Sequence, residues 1–542
     1  MTWRRFCAAL FIAVASAVLA APSAVFGSDA EKAPPGTSPA STADHGAFEI
    51  LKEKLDTGRE ATKACLSCHN QAAKQVHAST HWTWEVSNGK TGHLLGKKNV
   101  INNMLISVSA NGPYCARCHI SNEWNGEKFD FSAEDQVDCL TCHDTTGTYA
   151  LKRNHFLRAK CSACHVTFDK SLARDVVRKP VFTELAQKVG KPSIATCGSC
   201  HFESDGGDGV KHGDLDTSLV SAKRDLDVHM AKDGFGLTCI TCHKTERHLT
   251  RGSQYAPKAK DTRGVDVVDG SRATCESCHG QAPHPETANQ KLNDHVDRIA
   301  CQTCHIPALA RGGVPTKTYW DWSTAGRLGD DGKEIVELND KGRAVFSTQR
   351  GTGRWAENLT PEYVWFNGKV EHLGLGDTVD PENVVLLNVL GGSPDDPGSR
   401  IWPVKTLRGK QPIDAANKTL VAARLYGKTP DSFWEAFDWK ESIATAMKAA
   451  GRDFSGEVGF VETEMRFPVN HMVAPTKGAL DCVSCHSRNG LMANVPGIFM
   501  PGRGSSHIVD LLGLIMLGGA FAGVLAHGAI RIFMKLKNSG KA

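Results

Sequence analysis

The chain has 542 residues and 41% apolar content, enough to build a buried core and too much for a wholly disordered chain. Its 63 Lys+Arg against 59 Asp+Glu leave a formal charge of only +4, which excludes a histone-like nucleic-acid binder. The abnormal entries are 23 His and 19 Cys, in a chain too long to be a small disulfide-stapled module.

The first predicted element is a leader. Arg4 and Arg5 precede an apolar run from Cys7 to Ala21, and small residues follow to Gly27, so residues 1–27 read as a secretory signal peptide. Residues 28–50, rich in Pro, Ser, Thr, Gly and Ala, read as a flexible lead-in. Residues 51–305 then carry eight C-x-x-C-H runs, and a ninth follows near the end. The runs are Cys65, Cys68 and His69; Cys115, Cys118 and His119; Cys139, Cys142 and His143; Cys161, Cys164 and His165; and Cys197, Cys200 and His201. The others are Cys239, Cys242 and His243; Cys275, Cys278 and His279; Cys301, Cys304 and His305; and Cys482, Cys485 and His486. Every cysteine except Cys7 is used.

One such run is compatible with a redox pair or half of a zinc site, but nine point to haem c. Two thiols three positions apart reach the two vinyl groups of one porphyrin, and the adjacent histidine supplies the proximal imidazole to iron. The expected cofactor set is nine covalently bound haems c. Such attachment is made outside the cytoplasm, which argues for export of an unfolded chain. Fourteen histidines remain. His93 is one of them, and His507 and His527 lie at or in the final apolar stretch. The candidates for distal iron ligands are His45, His77, His81, His155, His212, His229, His248, His284, His295, His372 and His471. Bis-imidazole ligation leaves no open position on iron, so such haems move electrons and do not bind substrate. Short helices carrying the motifs, with the porphyrins supplying apolar mass, predict a mainly α fold with much irregular structure and little sheet, organised around stacked haems.

The loop 205–216 (DGGDGVKHGDLD) gathers Asp205, Asp208, Asp214 and Asp216 among glycines. It is a candidate Ca²⁺ site off the EF-hand spacing, or a solvated loop bearing the distal ligand His212. Residues 306–506 form a C-terminal region expected to wrap the haem array, with seven tryptophans ahead of the ninth motif. Within it, 332–348 reads as a hairpin, 357–376 and 430–450 as helical, and 391–397 as a loop. From 508 to 534 the chain is apolar and followed by Lys535, Lys537 and Lys541, so it reads as one transmembrane helix with its C-terminus in the cytoplasm.

Segments beyond the haem motifs resemble the octahaem tetrathionate reductase-like cytochromes c. They are DHGAFEIL at 44–51, HWTWE at 81–85, GKKNVINN at 96–103, the surroundings of the third motif at 137–149, GDGVKHGDLD at 207–216, and 403–482 with GKQPIDAANKTL, GFVETEM and NHMVAP. The resemblance implies a periplasmic haem chain with one catalytic haem, and members that reduce tetrathionate, nitrite and hydroxylamine. It implies that the catalytic haem is the one at Cys115, Cys118 and His119, and that a lysine replaces its distal histidine. By position that lysine is Lys152, with Lys160 behind it. Two departures stand out. Met104, Leu105 and Ile106 occupy the stretch where the family carries a cysteine, and Cys161–His165 is an added ninth motif that brings His155 with it. If His155 ligates the second haem the site is closed; if it serves the extra haem an open site survives.

The function expected is a membrane-anchored periplasmic cytochrome on the outer side of the bacterial cytoplasmic membrane. It would transfer electrons between a quinol-oxidising or cytochrome b-type membrane subunit and a periplasmic acceptor or donor. The alternative is a terminal reductase of tetrathionate, nitrite or hydroxylamine at Cys115–His119. No nucleic-acid partner is expected.

Overall fold

The structure is a computed structural model and describes residues 41–87, 94–122, 124, 129–149, 181–204, 206–255, 274–285, 291–487, 489–498 and 506–539. The leader, the fourth motif (Cys161, Cys164, His165), His93, Lys152, His155, Lys160 and Asp205 lie outside these residues.

The described motifs sit on short helices or at their ends, as their i, i+3, i+4 spacing favours. The helix Gly58–Leu66 brings Cys65 to its end and starts with a capping box, Thr57 accepting from Glu60 N while the Glu60 carboxylate accepts from Thr57 N. Ser193 and Thr196 make a similar reciprocal cap for Ile194–His201, and the Asp481 carboxylate accepts from Ser484 N at the start of Cys482–Cys485. At the N-terminal side, His45–Ala47 and Glu49–Leu51 form two 3₁₀ turns, the first capped by Asp44.

The expectation of little sheet is corrected: the fold is mixed α/β. Nine strands form one sheet, in chain order β1 (Thr316–Asp321), β2 (Val336–Leu338), β3 (Ala344–Ser347), β4 (Gly351–Ala356), β5 (Glu362–Phe366), β6 (Val385–Leu386), β7 (Arg400–Asp414), β8 (Thr419–Leu420) and β9 (Val458–Pro468). Their spatial order is β6-β9-β7-β1-β4-β3-β2, with β5 and β8 also pairing with β7. The pairs β6/β9 and β7/β1 are parallel; the rest are antiparallel. The hairpin expected in 332–348 is β2–β3, and the helical expectation for 430–450 is met by Phe433–Ala436 and Trp439–Ala449. The helical expectation for 357–376 fails: the segment forms β5 and the short strand Val370–His372, because Tyr363, Val364, Trp365 and Phe366 pack as strand residues ahead of an Asn367-Gly368 break.

Strand β7 is the spine. It is buried along almost its whole length and pairs with β9 from Val404↔Pro468 to Asp414↔Val458. Gly409 is required there, because a Cβ would stand 2.3 Å from the Trp320 carbonyl oxygen of β1. Trp320 and Trp322 stack at 4.7 Å and anchor a core containing Met104, Leu105, Ile106, Tyr114 and Cys115. Trp322 Nε1 donates to Asn103 O at 2.8 Å, and the Asn111 side-chain oxygen accepts from Leu425 N and Tyr426 N. The sheet thus fixes the helix Val108–Cys115, which delivers the second motif.

After the ninth motif, Met492 and Val495 pack with Trp365 and Ile401, and Trp365 Nε1 donates to Pro496 O. One strongly apolar helix then runs from His507 to Ser539, its side chains exposed rather than packed on the body. At 1.5 Å per residue its 33 residues are about 50 Å long, more than the roughly 30 Å bilayer core requires.

Candidate haem sites

The sixteen described motif cysteines are all free of disulfides. Around them the structure brings histidine rings together in pairs, each joining one motif histidine to one histidine from elsewhere in the chain. The ring centroids are 6.4 Å apart for His69 and His45, 6.4 Å for His143 and His248, and 6.1 Å for His201 and His81. They are 6.2 Å apart for His243 and His471, 6.1 Å for His279 and His229, 6.3 Å for His305 and His284, and 6.0 Å for His486 and His295. Two metal–imidazole bonds of about 2 Å plus about 1 Å from each nitrogen to its ring centre make roughly 6 Å. The spacing is that of two imidazoles on opposite sides of one iron.

The hydrogen bonds agree with the spacing. Nδ1 lies 2.8 Å from Gly190 O in His143, 2.9 Å from Arg251 O in His243 and 2.9 Å from the Gln75 side-chain oxygen in His248. It lies 3.1 Å from the Asn293 side-chain oxygen in His284, 2.6 Å from Lys291 O in His295, and 3.2 Å from Ala43 O in His45. An acceptor at Nδ1 keeps the proton there and leaves the Nε2 lone pair for the metal. Burial lowers the pKa of His81, His229, His243, His248 and His305, and brings that of His201 to about 3. A buried imidazole is thereby kept neutral, the form a metal binds.

Thiols of successive motifs also meet. The Cys65 sulfur lies beside that of Cys139, Cys197 beside Cys239, and Cys275 beside Cys301. Cys142 lies within electrostatic reach of Cys197, Cys242 of Cys275, and Cys485 of Cys304. Seven motifs therefore follow one another in space in the order 65, 139, 197, 239, 275, 301, 482.

His119 is different. Its ring is 1% exposed and packs against Trp84 at 4.8 Å, Trp82 at 4.9 Å and Trp124 at 5.1 Å, with Nε2 2.8 Å from Trp82 O. Since His81 belongs to the His201 pair, the dipeptide His81-Trp82 joins the second motif to the row at its third member. Among the described residues, His77, His212 and His372 are not placed at the paired spacing from a motif histidine. His77 packs on Trp82 at 4.4 Å, His212 lies 3.9 Å from Asp214, and His372 lies 5.3 Å from Tyr255 with both ring nitrogens buried and unbonded. Burial brings His212 to about 3 and His372 to about 4.

The candidate Ca²⁺ loop does not gather its carboxylates. Asp208 accepts from Thr217, Asp216 from Ser218, and Asp214 from Asn470 N, His471 N and His471 Nδ1. Among the described residues no three His, Cys, Asp or Glu side chains converge as a metal site would require. Burial would raise the pKa of Asp214, but the hydrogen bond and charge of His471, with His212, hold it down at about 2. Sequence reasoning missed this residue's partner, and also the buried Arg400–Glu276 ion pair beside the motif at Cys275.

Motif cysteines on short helices and opposed histidines define the class, a multihaem c-type cytochrome. The bacterial cytochrome c family pattern (Cytochrome c bacterial) matches residues 317–489. An octahaem cytochrome c of Shewanella oneidensis, solved by crystallography, is 34% identical, with a TM-score of 0.70 over 84% of this chain and 97% of its own. An uncharacterised protein of Archaeoglobus fulgidus is 26% identical over 264 residues, 41% of this chain and 86% of that protein. The chain belongs to the octahaem cytochrome c family of multihaem bacterial c-type cytochromes.

Proposed function

We propose that this cytochrome is an exported, membrane-anchored electron conduit with nine haems c, passing electrons between a redox subunit in the bacterial membrane and a periplasmic partner. The observation that carries the reading is the set of seven histidine pairs, each spaced for an iron between them. The haems, when bound, supply one-electron transfer without atom transfer. The chain's own residues do the rest. The two histidines of each pair would hold one haem iron between them and leave it no place for substrate, and the neighbouring motif cysteines would keep successive haems close.

The end of the row favours a membrane partner at the motif Cys482–His486. The chain is held to the body up to Pro496, and the apolar helix is under way by His507. The eleven steps between them span at most about 40 Å. Arg531, Lys535 and Lys537 at the far end of the helix favour a cytoplasmic C-terminus and a body on the outer side. In membrane vesicles a quinol analogue should reduce the full chain. A chain ending before His507 should be reduced by dithionite alone. Equal quinol reduction of both would overturn the membrane-fed conduit.

A second reading rests on the tryptophan box around His119. The buried aromatic surroundings that set the second motif apart from the paired sites suit a distinct haem, here a reductase site for tetrathionate, nitrite or hydroxylamine, with Lys152 as the displaceable ligand that the family resemblance implies. Under this reading one haem signal changes on adding one of these compounds, and a Lys152→Met variant loses that response while its other signals stay.

A further inference from the structure

Seven of the paired histidines have an acceptor at Nδ1, and in one of these the acceptor is of a different kind. The Nδ1 acceptors of His45, His143, His243, His248, His284 and His295 are neutral carbonyl or amide oxygens. For His471 the acceptor is a carboxylate, Asp214 Oδ2 at 3.2 Å. Asp214 is 2% exposed and is held in place from several sides. The same oxygen accepts from Asn470 N at 2.7 Å and His471 N at 3.0 Å, and His212 Nδ1 is 3.9 Å from the other. The buried Lys405 amine donates to Val210 O and Lys211 O, which fixes the loop that carries Asp214.

We infer that Asp214 is a positioning residue that lowers the reduction potential of the haem at Cys239, Cys242 and His243 by drawing on the Nδ1 proton of its distal ligand His471. The inference rests on the conduit reading, in which His471 ligates that iron. A carboxylate acceptor makes the imidazole a stronger donor. Ferric iron carries one more positive charge than ferrous iron, so a stronger donor and a nearby buried anion both stabilise the oxidised form. The step is the addition of one electron to ferric iron to give ferrous iron, with no bond made or broken. This haem is the fourth of the seven in the row, so its potential sets the height of the step between the two halves.

The test is potentiometric titration of the holoprotein followed by low-temperature EPR, on Asp214→Asn and on Gln75→Glu. Asn keeps an acceptor oxygen and removes the charge. One low-spin signal should move to higher potential by at least a tenfold change in its ferric-to-ferrous ratio at fixed potential, about 59 mV for one electron. The remaining signals should stay. Gln75→Glu places a carboxylate on His248 Nδ1, and it should lower the potential of the haem at Cys139 in the same way, whether or not the Asn variant folds. Unchanged potentials in both variants, or equal shifts at every haem, overturn the role of Asp214. A His471→Met variant separates the two ideas: loss of one bis-imidazole signal upholds the ligand, whereas an unaltered set of signals overturns the conduit reading at this site and the inference with it.

Discussion

Asp216 is 1% exposed, with one carboxylate oxygen bonded to Ser218 and the other without a hydrogen-bond partner. Burial raises its pKa to about 6. The folded pKa is above the unfolded value of about 3.9, so the contribution to stability is present below pH 4 and lost as pH rises through 6. Asp216→Asn removes that dependence. Its stability advantage over the natural chain should grow from near zero at pH 4 to on the order of 2 kcal/mol above pH 6, read as the gap between thermal midpoints across that range. Arg400 is a second case. It pairs with Glu276 at the motif of Cys275, both buried, while its Nε and second Nη have no hydrogen-bond partner. Arg400→Met leaves a buried carboxylate unpaired and should cost about 3–5 kcal/mol by denaturant unfolding, most of it recovered by adding Glu276→Gln. Recovery absent in the double variant would show that Arg400 acts through packing instead.

At the scale of elements, the motif helices were legible because chemistry fixes their spacing, and β2–β3 was legible from its alternation around a turn. Strand β7 was hidden. It carries Pro403 and Pro412, Gly409, and the cations Arg400, Lys405, Arg408 and Lys410, a composition that reads as loop. It is a strand because tertiary contacts absorb the exceptions: Lys405 meets two carbonyls, Arg400 meets Glu276, and Gly409 admits the Trp320 backbone. The sequence shows a surplus of histidines over motifs, but not which one meets which motif, because His81 and His471 lie beside His201 and His243, far away in sequence. The sheet also governs the second motif. Trp322→Ala removes a fully buried ring and the bond to Asn103 O, and should cost about 3–5 kcal/mol. Its effect on covalent haem should fall first at Cys115–Cys118, seen by peptide mass spectrometry of the holoprotein. Equal loss at every motif would argue against a local link.

Across the whole molecule, the row of motifs leads from the N-terminal turns at His45 to the motif just before the apolar helix, so chain order and spatial order largely coincide. The branch at the second motif leaves it through His81-Trp82. That layout suits one-dimensional electron movement with a side site. The seven histidine pairs are spaced to hold iron between two imidazoles, as proposed above. This ligation is tested most directly by low-temperature EPR of the fully oxidised, detergent-solubilised protein, integrated against total haem. The expected result is low-spin bis-imidazole signals for at least seven haems, unmoved by nitrite, hydroxylamine or tetrathionate. Low-spin signals integrating to fewer than seven, or high-spin iron in the majority, would contradict it.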